Sequence, residues 1–264
     1  MMHTALLDIR DAYVSYDKRR FFSRVVTHFY ALNAISLQVR PGESVGLVGE
    51  SGSGKSTLGK MVVGMLPLAR GSLTFRGQSF HGREFCHQPL RLRKEIQMVH
   101  QDFHGTLDPK MSIFGTIEEA LVLHFPEHTR AWRKQRVEQL LTQVGLSPAV
   151  ASYYPRQLSG GQRQRVNIAR ALAVEPHLLI CDEVVSALDV SVQAQILNLL
   201  SSIREQRPLA MLFISHDMAV VERMCDFVCV LNAGKMVEKG TVEEVCYHPR
   251  DPYTQKLIQA VPDL

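Results

Sequence analysis

Gly49-Glu50-Ser51-Gly52-Ser53-Gly54-Lys55-Ser56, followed by Thr57, sets glycines, hydroxyls and one lysine in the order G-x-x-x-x-G-K-[ST]. Glycines let backbone N–H groups turn inward around phosphate oxygens without a Cβ clash. A helix starting at Lys55 would aim its positive end at the same oxygens. Lys55 then reaches the β- and γ-phosphates, Ser56 is suited to Mg²⁺, and Thr57 falls near the α-phosphate. Average residue usage puts such a match in about one chain of this length per hundred. The apolar run Ser44–Val48 before the loop and a helical pattern after it narrow the odds further. The stretch is expected to bind a nucleoside triphosphate.

Two more stretches suit the same chemistry. Leu178-Leu179-Ile180-Cys181-Asp182-Glu183 is an apolar strand ending in two carboxylates. In a parallel α/β sheet ligands gather at the carboxyl ends of strands. Asp182 is therefore expected in the Mg²⁺ shell, and Glu183 is expected to orient or deprotonate the attacking water. Leu158-Ser159-Gly160-Gly161-Gln162 opens a helix through Arg163–Ala173. A serine hydroxyl and two glycines at a helix start make a second anion site. A chain with one triphosphate loop has no need of it unless it serves another molecule's nucleotide.

The elements that must hold these groups alternate. Leu6 to Tyr16, Ala34 to Val39, Ser44–Val48, Ser72–Phe75 and Ile96–Val99 read as strands, with a helix from Lys55 to about Met65. From Ile113 to Val144 the pattern is helical. Val137, Leu140, Leu141 and Val144 form one apolar stripe, closed by Gly145. Strand and helix then alternate again: Leu178–Cys181, Val190–Arg204, Ala210–Ile214 and Met218–Met224. Asp226–Leu231 and Lys235–Glu238 flank the turn Asn232-Ala233-Gly234 as a hairpin. The fold class this implies is α/β, with a mainly parallel core sheet, an antiparallel β part and a helical lobe inserted at roughly 105–158. The whole of 1–264 is expected to be one domain, with 241–264 as a C-terminal extension.

Bulk properties exclude other classes. With 264 residues, 45% of them hydrophobic, the chain can bury a full core, and a net charge of +4 is well short of a nucleic-acid binder. The basic cluster Lys18-Arg19-Arg20, with Arg24, reads as a solvated loop. No apolar run nears the roughly 20 residues needed to span a bilayer, and the start lacks a secretory pattern, so a cytosolic chain is expected. Five scattered cysteines and 11 dispersed histidines fit free thiols in a reducing compartment rather than a metal site.

Leu158–Gln162 resembles the signature of the ATP-binding-cassette (ABC) ATPases, and the resemblance runs in order over nearly the whole chain. Gln101 looks like that family's Q-loop, Ser186-Ala187-Leu188-Asp189 like its D-loop, and His216 like its switch histidine. The resemblance implies a P-loop NTPase fold and a head-to-tail pair of cassettes. ATP on the Gly49–Thr57 loop would then be covered by Ser159, Gly160 and Gly161 of a partner, with Gln162 completing the motif. It also implies that Gln101 touches the Mg²⁺ and water region, that His216 contacts the γ-phosphate and braces Glu183, and that Asp189 acts across the dimer interface. Tyr16 matches the adenine-stacking aromatic, with Phe29 and Tyr30 as competitors in a segment, 17–30, that looks like an insertion. His100 and Val184 depart from the family pattern without removing a chemical group the mechanism needs.

The Asp182–Leu200 stretch, the phosphate-loop context and the tail His248-Pro249-Arg250-Asp251-Pro252-Tyr253-Thr254 are similar to the peptide/nickel importer branch. That branch implies a second ATPase subunit, more often different than identical, two transmembrane permease subunits, and a substrate-binding protein acting indirectly. It places the chain at the cytoplasmic face of the membrane, with no nucleic-acid partner. ATP and Mg²⁺ are the expected ligands, and peptides the first cargo expected, ahead of nickel or metal complexes. Relatives with several C-terminal cysteines hold an iron–sulfur cluster; Cys246 stands alone there, so none is expected. The rival readings are an exporter, a soluble repair or translation ATPase, and a non-hydrolysing regulatory module. Repair members carry long coiled coils and translation members two cassettes, neither of which this sequence has.

Overall fold

Leu7, Ile9, Ala12 and Val14 are all buried, yet the step from Ile9 to Ala12 breaks a strict period of two. The backbone repairs the parity at Asp11, which takes φ 47° at a register shift and donates its N–H to Ser36 Oγ at 2.9 Å. The strand is β1 (Leu7–Arg19), paired antiparallel with β2 (Val26–Val39) from Leu7↔Val39 to Arg19↔Val26. This computed structural model describes residues 5–19, 26–87, 90–100 and 103–260, with backbone only at 17–19, 26–28 and 103–104. Within the segment 17–30, read from sequence as an insertion, Asp17, Lys18 and Arg19 pair with His28, Thr27 and Val26 and extend both strands. Lys18 and Arg19 lie on β1 opposite Thr27 and Val26, not in a solvated loop, while Arg20 and Arg24 fall outside the described residues.

β3 (Ser44–Val48) is buried at every position, as a strand covered on both faces must be. α1 (Lys55–Val62) ends short of Met65, because Gly64 and Met65 bond their N–H groups back to Met61 and Lys60. β4 (Arg70–Phe75) adds to the far side of β1, and the short β5 (Gln78–Phe80) pairs with β4.

The chain divides into two compact units, Met1–Gln88 with Ala210–Leu264, and Pro89–Leu209. The second begins with α2 (Leu90–Glu95), β6 (Ile96–Val99) and the short α3 (Phe103–Thr106). The long helical pattern resolves into α4 (Ile113–His124) and α5 (Arg130–Gln143). Phe125 precedes Pro126, which disfavours helical backbone, and Thr129 restarts the helix by accepting from Trp132 N–H at 3.3 Å. Arg133 Nε donates to Glu118 Oε1 at 3.0 Å and ties the two helices together. The stripe Val137, Leu140, Leu141 and Val144 is fully buried, and Gly145 ends the run at φ 71°. α6 (Gly160–Leu172), β7 (Leu178–Asp182) and α7 (Val190–Gln206) complete this unit, with β7 parallel to β6 from Ile96↔Leu178 to Val99↔Cys181.

The first unit resumes at β8 (Ala210–Ile214), which runs parallel to β3. α8 (Met218–Met224) follows and packs on β3: a Cβ at Gly46 would sit 2.3 Å from Val221 Cγ1. β9 (Phe227–Asn232) is the other parallel neighbour of β3, and β10 (Lys235–Thr241) returns antiparallel to it. The tail holds α9 (Val242–Tyr247) and α10 (Pro252–Gln259). No helix among the described residues is long and apolar enough to cross a membrane.

Candidate functional site

The phosphate loop leaves β3 and enters α1 through backbone that only glycine adopts easily. Gly49 has φ 148°, and a Cβ there would lie 2.1 Å from Leu231 O and 2.8 Å from Ser53 Oγ. Gly54 stands at the N-cap of α1 without any side-chain cap, and the first turn holds no acidic residue. The helix start is thus left for a ligand to complete. Ser53 Oγ is buried with no hydrogen-bond partner among the described residues, which suits a phosphate oxygen as its partner. Lys55, 4% exposed, donates from Nζ to Gly49 O at 2.7 Å and Glu50 O at 2.8 Å. Its ammonium is held inside the loop it would serve. Ser56 and Thr57 are half-buried beside it, while Ser51 and Gly52 face solvent.

β8 delivers His216 to the same strand edge. Leu47 pairs with Ile214, and Ser215 N–H donates to Leu47 O at 3.1 Å, so the loop after β3 and the residue after β8 emerge together. Ser215 Oγ accepts from Asp217 N–H, and Asp217 Oδ1 caps α8 through Ala219 N–H at 2.9 Å. The two neighbours fix the turn and leave His216 exposed at its tip. Tyr16 pairs with Phe29 across β1 and β2, so their rings share one face, whereas Tyr30 packs edge-on to Tyr13 at 5.7 Å. All three aromatics read from sequence are exposed, Tyr16 at 41%, Phe29 at 56% and Tyr30 at 36%, and Tyr16 and Phe29 are the cross-strand pair. β2 passes the loop just beyond them, where a Cβ on Gly54 would meet Ala31 O at 2.8 Å.

The second unit holds the acids and the other helix start. Asp182 ends β7 almost fully buried, and Glu183 turns out of the strand with φ 48°, rare for a residue with a Cβ. Its carbonyl accepts from Ser186 N–H and Oγ, which closes the turn. Gln101 follows β6 on the neighbouring parallel strand but lies outside the described residues. At α6, Ser159 Oγ accepts from Gln162 N–H and Gln162 Oε1 accepts from Ser159 N–H, a reciprocal capping box. Gly160 and Gly161 precede the first intrahelical bond, made by Arg163 N–H to Ser159 O. Gly161 has a packing reason as well: its Cβ would sit 2.5 Å from Val192 Cγ1 of α7. Asp189 caps α7, accepting from Val192 N–H at 2.9 Å and Ser191 Oγ at 2.8 Å, and those bonds hold its carboxyl below the usual range.

Two supports of the loop escape a reading of the sequence. The β9–β10 turn backs it, with Gly234 N–H donating to Ser53 O at 2.9 Å. Tyr253 of α10 accepts from Glu50 N–H at 2.8 Å. The only signals were the glycine of a hairpin and a tyrosine after Pro252. The cysteines take no part: burial pushes the thiol of Cys229 up to about 12 and that of Cys246 to about 11.

The chain is similar to known proteins. The sequence model of the family described as ABC transporter matches residues 32–186. The oligopeptide transport ATP-binding protein OppF of Lactococcus lactis subsp. lactis (strain IL1403) is 42% identical over 260 residues, 98% of this chain and 81% of that protein. The glutathione import ATP-binding protein GsiA of Pectobacterium atrosepticum is 46% identical over 243 residues, 91% of this chain and 38% of that protein. Among solved structures, the ATP-binding cassette MJ0796, dimeric in a post-hydrolysis state with ADP and Pi, superposes with a TM-score of 0.76. It is 25% identical, over 89% of this chain and 98% of that one. Phosphate loop, signature helix and carboxylate strand, in that company, make this chain a member of the ABC transporter family, one of its ATP-binding and ATP-hydrolysing subunits.

Proposed function

We propose that this chain drives a peptide importer, hydrolysing ATP at sites completed by a second cassette. The observation that carries the proposal is the self-capped helix start at Ser159 in a chain that already has a phosphate loop of its own. Because Ser159 Oγ accepts from Gln162, its hydroxyl hydrogen is available to a phosphate oxygen, together with the N–H groups of Gly160 and Gly161. That donor set suits the γ-phosphate of a nucleotide held on a partner's Gly49–Thr57 loop. The whole chain then acts as one cassette, with the helices between 105 and 158 as its lobe and 241–264 as its extension.

Within each site Lys55 neutralises the β- and γ-phosphates, and Tyr16 offers a ring face to adenine. Mg²⁺ fits oxygen donors such as Ser56, Asp182 and Gln101, and when bound it neutralises charge between the phosphates. Glu183 accepts the proton of the attacking water, and His216 holds the γ-phosphate and steadies Glu183. Asp189, fixed as the cap of α7, acts across the interface with the second cassette. The membrane partners are two permease subunits, which hold this chain at the cytoplasmic face and receive cargo from a substrate-binding protein. Peptide is preferred to a nickel complex because the relatives named above transport oligopeptides and glutathione.

The test is trapping. Glu183→Gln is expected to slow turnover by about a hundredfold or more while nucleotide still binds, so that a dimer accumulates with ATP in light scattering. Adding Ser159→Ala should return that dimer to monomer. A wild-type chain that hydrolyses ATP at full rate as a strict monomer, indifferent to Ser159, would sink the proposal. Turnover by the complete complex should rise with peptide-loaded binding protein and stay flat with a nickel complex.

A further inference from the structure

The peptide unit joining Gly49 to Glu50 is gripped at both ends. Its carbonyl accepts from Lys55 Nζ at 2.7 Å, and its N–H donates to the Tyr253 hydroxyl at 2.8 Å. In a trans peptide these two groups point opposite ways, so Tyr253 reaches the loop from the side away from Lys55. The orientation of this plane follows from Gly49 at φ 148°, a conformation with little intrinsic preference behind it. A Lys55 that turned from Gly49 O toward a phosphate would give up that contact, and Tyr253 would then be the remaining anchor of this peptide unit.

The tyrosine is itself firmly held. Glu238 on β10 accepts from Arg250 N–H at 2.8 Å and Asp251 N–H at 3.1 Å. Asp251 then accepts from Tyr253 N–H at 2.8 Å, with Pro252 fixing the first turn of α10 and Thr254 fully buried behind it. A chain of short bonds therefore runs from β10 through the helix start to the phosphate loop. Those anchors hold α10 without the phenol hydroxyl, whose visible task is the bond to Glu50.

We propose that Tyr253 is a positioning residue of the nucleotide site, through which the C-terminal extension braces the phosphate loop. This rests on the reading of Gly49–Thr57 as the nucleotide-binding loop. Burial raises the Tyr253 phenol above its ordinary value, so the hydroxyl stays protonated in neutral solution. The brace acts on binding more than on chemistry, because it shapes the cradle and touches no reacting atom. Losing it should raise KM and leave kcat alone.

Tyr253→Phe in the full-length chain removes one oxygen and keeps the ring. Titration with a fluorescent ATP analogue, and KM for ATP, should both weaken roughly threefold to tenfold, the range of one net hydrogen bond. The kcat should stay within about twofold, and the melting temperature without nucleotide within about 2 °C. Tyr247→Phe is the control, since the Tyr247 hydroxyl bonds Glu222 in the same C-terminal segment, away from the loop. It should leave KM unchanged. A wild-type KM in Tyr253→Phe, an equal rise in Tyr247→Phe, or a weakening accompanied by a large fall in melting temperature would each overturn the brace. Lys55→Ala separates this from the underlying reading. If it abolishes analogue binding while Tyr253→Phe does nothing, only the brace fails; if it too leaves binding intact, the loop is not the nucleotide site.

Discussion

The starts of α1 and α6 use the same residue types, glycines beside a serine, and finish them in opposite ways. At α1 the N-cap is Gly54, no side chain caps the turn, and Ser53 Oγ is buried without a partner among the described residues. At α6, Ser159 and Gln162 satisfy each other, and the helix is complete in the free chain. In the proposed function, the first is a helix start that a triphosphate would cap. The second is finished and has donors to spare, which suits a group that must stay ordered until a nucleotide arrives from elsewhere. An open helix start belongs where a ligand is held, and a closed one where a ligand is met.

The glycines test this contrast most severely. Gly49→Ala would force a Cβ into φ 148° and against the Leu231 carbonyl, a backbone atom with nowhere to go. It should cost about 2 kcal/mol of stability or more and abolish nucleotide binding, measured by titration and thermal melting. Gly161→Ala would clash with Val192 Cγ1, a side-chain atom. It should cost about 1–3 kcal/mol by overpacking, and Val192→Ala in the same chain should restore most of that loss in thermal melting. Failure of this rescue would mean that Gly161 is glycine for its ligand and not for its packing.

A smaller effect concerns Asp189, which caps the start of α7 just after the acidic turn. Its carboxyl is held below its ordinary 3.8 by Val192 N–H and the Ser191 hydroxyl. A carboxyl depressed on folding contributes stability above its unfolded value and loses it as pH falls through the folded one. Asp189→Asn should therefore flatten the fall in stability below about pH 4, read as melting temperature between pH 5 and pH 3. An unchanged acid limb would show that this cap matters only for geometry.

Several elements were legible because consecutive residues carry them. Ser44–Val48, Ile96–Val99, Ala210–Ile214 and Met218–Met224 form where their patterns put them. The Ile113–Val144 pattern was legible in type but not in number, since Pro126 and the Thr129 cap split it. The short β5, α2 and α9 went unread, being too brief and too polar for a periodic signal.

What the sequence determined by itself is the chemistry: which residues can meet phosphate, metal and water, since each motif compresses its requirements into a few neighbouring positions. Only the tertiary structure decided how those residues are held. Tyr253 lies 203 residues from Glu50, and the turn at Gly234 is nearly as remote from Ser53. Likewise, nothing local to Gly161 announces Val192. Such contacts follow from which strands lie side by side and which backbone groups still want a partner once they do, and no run of neighbouring residues encodes that.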